Sequence, residues 1–464
     1  MEVTSLIKKT LKEIRTMIQV DNSIHLFEDV EISGVAIDSR KIKKGNLFVP
    51  FIGEQVDGHR YVEAAINGGA AASLWQRDVP NPPSDLPIII VEDTLTALQE
   101  LARNYRNEID VKVVGITGSN GKTTTKDMTA NLLGPKYKVQ KTEGNFNNHI
   151  GLPLTILGLE KDTEIAVLEM GMSSTGEIEF LTRLARPHVV VITNIGEAHL
   201  QDLGSRERIA DAKLEIIKGL EGQGLIIFHG DEPLLRERML NYEGEARRQT
   251  FGRLENNTLY PTFINQTDDG STFQINETKS EFKLPVLGTH NIMNALAAML
   301  VARDFGVSYE EMKKGFETLK VTNMRMELVE GSNGEKIIND AYNASPTSMK
   351  AAIELVTSLS GYKNKILVLG DMLELGPEEE AFHYSVGKEI DSSEITYVFT
   401  YGKLGNFIAK GASEVFPKGK VFAFLDKEIL LEKLKKYTNN ETLILVKGSR
   451  GMKLENVVQG LQNQ

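Results

Sequence analysis

A glycine loop set between an apolar strand and a helix does most to limit the folds open to this chain. Val111-Lys112-Val113-Val114 reads as a buried strand, and Lys126 to Leu133 as a helix that ends at Gly134-Pro135. Between them runs Gly115-Ile116-Thr117-Gly118-Ser119-Asn120-Gly121-Lys122-Thr123-Thr124-Thr125. Loop amides followed by a helix N-terminus form a cradle for phosphate oxygens. Lys122 then supplies a point charge to the outer phosphates, and the Thr123 hydroxyl can reach a magnesium ion. A full phosphate loop has glycine where this chain has Ile116, so the match is the shortened Gly118-x-x-Gly121-Lys122-Thr123. An ordinary strand-to-helix turn leaves the lysine and three threonines at the helix start unexplained. Nucleotide binding is the expectation.

Three further runs, Ile165 to Gly171, Val189 to Asn194 and Leu225 to Phe228, are almost continuously apolar. Such runs fit strands buried on both faces, hence a doubly wound parallel sheet with ligands beyond its carboxyl edge. The polar residues at that edge are Glu169, Asn194, Glu197 and His199. Glu169 interrupts an apolar run, which is costly unless the carboxylate is paired or binds a metal. With an imidazole and the Thr123 hydroxyl it suits magnesium, which keeps phosphate and water among its ligands. The loop Lys141 to Pro153 concentrates side-chain amides suited to a polar ligand, or is simply an asparagine-rich turn. Asp211 to Ile216 is a helical pattern in which Lys213 reads equally as a solvated lysine. Asn291 and Asn294 fall on one helix face. Residues 241 to 282 are polar and strand-like, and an inserted antiparallel segment is expected there.

With 464 residues the chain exceeds one ordinary core, and the pattern divides it at about 107 and 320. Residues 1–107 suggest a small α/β domain whose Asp38-Ser39-Arg40 offers a hydroxyl and a guanidinium to a diphosphate, or a turn with a surface ion pair. Residues 108–320 form the central domain. Residues 321–464 read as another open α/β domain, with a helix opened by Ser345-Pro346 that buries Met349, Ala352 and Ile353. The net charge of −11, with no basic run, argues against nucleic acid as a partner. A few positioned cations still suffice for an anionic substrate. The chain has no cysteine, which removes disulfides, thiolate metal sites and a thiol nucleophile, and fits a reducing compartment. Met1 to Val20 is an amphipathic helix pattern without the order of a signal peptide, and no apolar stretch approaches the ~18 residues that span a bilayer. A cytoplasmic location is the expectation.

Taken together, these segments resemble the Mur ligase family of bacterial peptidoglycan synthesis, across all three expected domains. Thr117 to Thr124 is similar to that family's shortened phosphate loop, which accounts for Ile116. Glu143-Gly144-Asn145-Phe146-Asn147-Asn148-His149-Ile150-Gly151-Leu152-Pro153, Asp340 to Pro346 and Leu369 to Gly376 resemble the branch that attaches D-alanyl-D-alanine. The Asp-Asn-Pro motif of the branch that adds the third residue is absent. The resemblance implies an α/β fold: a small N-terminal domain for the UDP-sugar, a central doubly wound mononucleotide-binding domain, and a C-terminal Rossmann-like domain that completes the ATP site and receives D-alanyl-D-alanine.

It also implies roles. Gly118, Ser119, Asn120, Gly121, Lys122, Thr123 and Thr124 would hold ATP phosphates, and Asn291 and Asn294 would lie beside adenine. Arg325 would reach the phosphates, Asp340 the ribose and Asn343 the base. Thr123 and Glu169 would bind one magnesium ion, and His199 a second one near Lys213, carbamylated. Lys122, Glu169, His199 and Lys213 would carry catalysis. Ser39 and Arg40 would take the uridine diphosphate, while Thr142, Glu143, Asn145, Asn147 and Asn148 face the substrate. The implied reaction joins D-alanyl-D-alanine to UDP-N-acetylmuramoyl-tripeptide through an acyl phosphate, in a monomer without membrane insertion. Alternatives are a sibling ligase adding the third residue, folylpolyglutamate synthase, and a nucleotide-binding regulatory module. A dinucleotide-dependent oxidoreductase is opposed by the lack of a Gly-x-Gly-x-x-Gly fingerprint.

Overall fold

A computed structural model of the chain describes residues 7–267 and 269–463. The start of the expected N-terminal helix, residues 1–6, lies outside the described residues. Next to it the chain forms a short strand, β1 (Lys8–Thr10), and a helix only over Leu11–Met17. Thr10 and Glu13 close that helix start reciprocally, each side chain taking the other's backbone N–H. β1 pairs antiparallel with β2 (Glu31–Ser33).

The first sheet is parallel throughout, in the order β3 (Val35–Ala36), β4 (Leu47–Phe48), β5 (Ala72–Gln76) and β6 (Ile88–Val91). Successive side chains point to opposite faces. Phe48, Trp75 and Ile88 therefore form one small core with Val62 and Ala65, while Leu47, Leu74 and Ile89 join a larger one. That larger core is shared with the next domain through the helix Thr94–Glu108. The Tyr105 hydroxyl of this helix donates to the Leu159 carbonyl at 2.7 Å, and buried Arg106 donates to the Ala185 carbonyl at 2.8 Å.

The central sheet contains β7 (Lys112–Thr117), β8 (Val139–Lys141), β9 (Ile165–Glu169), β10 (Val189–Ile192), β11 (Leu225–His229) and β12 (Arg247–Phe251). All are parallel, in the order β12-β11-β10-β7-β9-β8. The strand order reverses between β7 and β10, the crevice where open α/β sheets bind ligands. β12 corrects one expectation. The antiparallel insert was expected from 241, yet Arg247 to Phe251 pairs parallel with β11. A polar run is also what a sheet edge requires, and the antiparallel part begins only at β13 (Pro261–Thr267), continuing through β14 (Gly270–Ile275) and β15 (Thr278–Leu284).

The last sheet has the order β16-β17-β21-β18-β19-β20. Its strands are β16 (Glu327–Glu330), β17 (Lys336–Asp340), β18 (Asn364–Gly370), β19 (Tyr397–Tyr401), β20 (Val421–Phe424) and β21 (Thr442–Lys447). Only β16 runs antiparallel to its neighbour. Ser345 caps the helix Pro346–Ser358, with proline at its first turn and Met349, Ala352 and Ile353 on the buried side. Among the described residues no helix is long and apolar enough to cross a membrane.

Candidate active site

Register brings the first set of residues together. β7 pairs Thr117 with Ile192 and Ile116 with Glu169, so the loop after β7 lies beside Thr193-Asn194 on one side and Glu169 on the other. Gly118 and Gly121 have φ of +146° and +79°, and a Cβ on either would collide with the Thr193 hydroxyl or the Asn294 amide respectively. The loop is clamped from outside. Asn194 accepts from the Asn120 N–H at 2.8 Å and Thr193 Oγ1 donates to the Asn120 carbonyl at 2.5 Å. Ser119 Oγ accepts from the Gly196 N–H at 2.9 Å. Lys122 opens the helix Lys122–Leu133 and its Nζ curls back to the carbonyls of Gly118 and Ser119, at 2.7 and 3.4 Å. Burial and the Arg325 charge push the Lys122 ammonium below its usual range, against the pull of Glu169.

The second set surrounds Glu169, a carboxylate 2 % exposed at the end of β9. Thr123 Oγ1 donates to Oε2 at 2.9 Å and Asn147 Nδ2 to Oε1 at 2.8 Å, so both oxygens are held. Thr142 was expected to face a substrate. It is instead fully buried: its hydroxyl accepts the Glu169 N–H at 3.0 Å and its carbonyl takes Lys126 Nζ at 2.7 Å. Thr142 thus seats the carboxylate. Asn148 caps its own turn, accepting from Ile150 and Gly151 N–H groups at 3.2 and 2.8 Å, while Glu143 and Asn145 are exposed. Among the described residues no three His, Asp or Glu side chains converge on one point. One carboxylate beside one hydroxyl is nevertheless the protein share that magnesium takes when phosphate and water supply its other ligands. Thr123 and Glu169 fit that ion.

Lys213 lies near these groups, in the helix Arg206–Leu214, and is only 2 % exposed. The solvated alternative fails because Ile209, Ala210 and Ala212 of the same helix are fully buried, which carries the lysine inward. It forms no ion pair among the described residues, and burial, with the nearby Lys122 charge, depresses its ammonium well below the ordinary lysine range. His199 sits at φ +65° in the turn after β10, with Nδ1 2.8 Å from the Glu374 carboxylate of the last sheet. Burial lowers its pKa; Lys122 and Lys213 add to that, and Glu374 opposes it.

The third set closes a cleft from the opposite side. Asn120, Gly121, Thr124, Asn291 and Asn294 line the central-sheet wall; Arg325, Asp340, Asn343 and Lys447 line the other. Asn294 donates to Asn291 at 2.9 Å, and Asn291 to the Leu287 carbonyl at 2.7 Å, so the i, i+3 pair is real. Arg325 stacks 4.0 Å over the Tyr342 ring and reaches Thr123 Oγ1 at 3.4 Å. Asp340 pairs with Lys447, directly opposite it across β17 and β21, and Lys447 also donates to the Asn343 carbonyl at 2.9 Å. Sequence reasoning singled out none of Lys447, His229, His290 and Tyr342. Burial holds the His290 imidazole down at about 4. Its place beside Asn291 was the one signal that could have marked it.

A separate cleft between the first and central sheets is lined by Asp38, Lys41, Lys43, Asn46, Lys141, Glu143 and Phe146 among others. Ser39 and Arg40 are not on its wall. Arg40 is exposed and forms two 2.9 Å bonds with Asp38, the surface pair of the plainer reading. The cations on this wall are Lys41, Lys43 and Lys141.

Relatives share this arrangement from end to end. A UDP-N-acetylmuramoyl-tripeptide–D-alanyl-D-alanine ligase of Bacillus subtilis is 52% identical over 98% of this chain and 99% of its own. The crystal structure of MurF from Acinetobacter baumannii superposes with a TM-score of 0.89 at 29% identity, covering 99% of this chain and all of that one. MurF ligase from Thermotoga maritima in complex with ADP gives 0.81 at 30% identity, over 92% of this chain and 97% of that one. Family models match in three consecutive blocks: Mur ligase family, catalytic domain, at 31–106; Mur ligase middle domain at 116–302; and Mur ligase, glutamate ligase domain, at 324–450. The middle block begins inside β7 and takes in the glycine loop, Glu169, Lys213 and Asn294, and the last block opens at Met324, beside Arg325. A three-domain α/β chain built this way, and matched throughout its length by such relatives, belongs to the Mur ligase family.

Proposed function

We propose that this chain is an ATP-dependent ligase that joins D-alanyl-D-alanine to UDP-N-acetylmuramoyl-tripeptide. The observation that carries the reading is the cleft built from two sheets, with the glycine loop and Asn294 on one wall and Arg325 and Asp340 on the other. The bound ADP of the Thermotoga relative supports a nucleotide as its occupant, and the name of the Bacillus relative supports the two substrates. In this reading residues 1–107 hold the UDP-sugar, 108–320 hold ATP, and 321–464 complete the ATP site and receive the dipeptide.

A carboxylate acylates poorly, so the tripeptide's terminal carboxylate oxygen first attacks the γ-phosphorus of ATP. The bond from that phosphorus to the β-phosphate oxygen breaks, leaving ADP and an acyl phosphate. Lys122, the loop amides and Arg325 offset the charge that builds up on the transferred group. Magnesium held by Thr123 and Glu169, and a second ion near His199 and Lys213, would supply further positive charge there. The free amine of D-alanyl-D-alanine then attacks the acyl carbon, phosphate departs, and the amine loses its proton. The last sheet, closing over the central one, keeps water from the acyl phosphate.

Lys213 takes part as a carbamate. Burial disfavours the protonated form and so favours the free, nucleophilic amine; its nitrogen adds to the carbon of CO2 and releases a proton, leaving an anion where the ammonium would have been. The test is mass analysis of products from ATP, UDP-N-acetylmuramoyl-tripeptide and D-alanyl-D-alanine. Native protein should yield ADP, phosphate and the pentapeptide. Lys122→Ala should retain UDP-sugar binding while ADP production falls at least about 100-fold. Turnover of the variant at the native rate, or the absence of pentapeptide with native protein, would refute the assignment.

A further inference from the structure

The turn after β10 does more than carry His199. Within residues 194–201 it holds the glycine loop through Asn194, receives the Thr347 hydroxyl and N–H on Glu197 at 2.8 and 3.3 Å, and presents His199 and Gln201 to the loop after β18. Glu374 meets it twice. Its carboxylate lies 2.8 Å from His199 Nδ1 and its carbonyl accepts the Gln201 N–H at 3.0 Å. Both Glu374 and His199 have φ of +65°, a conformation that such residues rarely adopt without surrounding support.

The loop that carries Glu374 has that support. Met372 N–H donates to His383 Nε2 at 2.8 Å, Leu373 N–H to Ser449 Oγ at 2.9 Å, and Asp371 Oδ1 accepts the Gly405 N–H at 2.7 Å. The base of the loop is braced to its own sheet, while the Glu374 side chain, 56 % exposed, reaches out to the other domain. No packing role in its own core explains it. The carboxylate stands 2.8 Å from Nδ1, which makes no hydrogen bond among the described residues, so the two meet by charge and proximity, and that contact holds the imidazole against the far domain.

We propose that Glu374 is a positioning residue for the reaction: it docks the last domain on the 194–201 turn and sets the His199 imidazole only when the two sheets are closed. This rests on the ligase reading for its catalytic consequence, but the docking itself does not. ATP chemistry then awaits closure, because one of its groups is oriented from the far side of the cleft.

The test has two arms. A Cβ on Gly376 would stand 3.8 Å from the Gln201 Cβ, within disulfide reach; its 3.3 Å approach to the Gln201 Cα and the φ of +76° strain every cross-linking variant alike, and the native chain has no cysteine to compete. The full-length Gln201→Cys/Gly376→Cys variant should cross-link on mild oxidation, faster with adenosine 5′-(β,γ-imido)triphosphate and magnesium. Adding Glu374→Ala should slow the cross-link at least about fivefold; an unchanged rate overturns the proposal. In the otherwise native chain, Glu374→Ala should lower kcat about tenfold with little change in KM for ATP, and Glu374→Gln, similar in size but uncharged, should restore little of it. Glu374→Ala combined with His199→Ala should be no slower than His199→Ala alone. Multiplying effects overturn the proposal. Should the ligase reading itself fail, the turnover arm is silent for every variant, while the cross-linking arm still reports whether Glu374 docks the domains.

Discussion

A buried lysine is a liability unless it is paired or put to use, and Lys213 has no ion-pair partner among the described residues. Its burial disfavours the charged form. The unfolded amine titrates near 10.4 and the folded one lower, so between those values the unfolded chain binds more protons and stability rises with pH. Below the folded value both states are protonated and the full penalty is present. Lys213→Met, similar in length and uncharged, should therefore be at least as stable as the unmodified lysine form. The gain in Tm should grow as pH falls from about 10 toward the lowered folded value. Turnover should fall at least about 100-fold, because no carbamate can form. Thermal scans across that pH range, paired with ADP release, check both. A variant less stable at every pH than the unmodified lysine form, prepared free of CO2, would mean that the lysine's charge is compensated. Nothing in Asp211-Ala212-Lys213-Leu214 separates a surface lysine from a buried one, because its burial is set by how the helix docks. Glu169 was easier to find, since a carboxylate inside an apolar strand is conspicuous before any folding is considered.

At the scale of elements, the strand–loop–helix of Lys112 to Leu133 was legible because glycine, lysine and threonine each have a separate reason to stand where they do. Gly118 is the most demanding of them: φ of +146° excludes side chains and the Thr193 hydroxyl occupies the space a Cβ needs. Gly118→Ala should displace the loop from Thr193 and weaken ATP binding at least about tenfold, roughly 1.4 kcal/mol. UDP-sugar affinity, read in parallel by calorimetry, should stay within about twofold, since the cleft of the first domain, the proposed UDP-sugar domain, lies beside β3 and β8. Equal loss of both ligands would show that the sheet rather than the loop had been damaged. Other elements yielded less. Thr142 looked like the first residue of a binding loop, yet a hydroxyl is equally suited to a buried backbone N–H, and only the β8–β9 pairing decides between these. Asp38-Ser39-Arg40 suggested a diphosphate clamp, but Asp38 is near enough to satisfy Arg40 locally, and the cleft-facing cations lie just beyond, at Lys41 and Lys43.

At the scale of the whole molecule, the parallel sheets followed from apolar runs and the three-part division from resets in pattern. The joint between the last two domains did not, because it is set by backbone angles that no residue type announces. Thr322 donates through N–H and Oγ1 to Asp127 at 2.9 and 2.7 Å, fastening the linker to the helix that begins with Lys122. On the other side Met324 and Met326 N–H groups donate to Glu327 and Asp340 at 3.0 and 3.3 Å. Arg325 lies between two left-handed methionines, Met324 at φ +61° and Met326 at φ +55°. This bend is what brings the guanidinium over Tyr342 and toward Thr123. A β-branched residue tolerates the left-handed region worse than methionine does, by about 1 kcal/mol, whereas glycine enters it freely. Met324→Val should therefore disfavour the arrangement that places Arg325 in the cleft and lower kcat/KM for ATP about fivefold. Met324→Gly should stay within about twofold of native, its relief of strain offset by a more flexible linker. Met324 is only half-buried, so neither change should move Tm by more than about 2 °C, unlike truncation of buried Met326. Equal kinetics in the valine and glycine variants would show that the bend does not govern Arg325, and that its contacts with Tyr342 and Thr123 hold it in place.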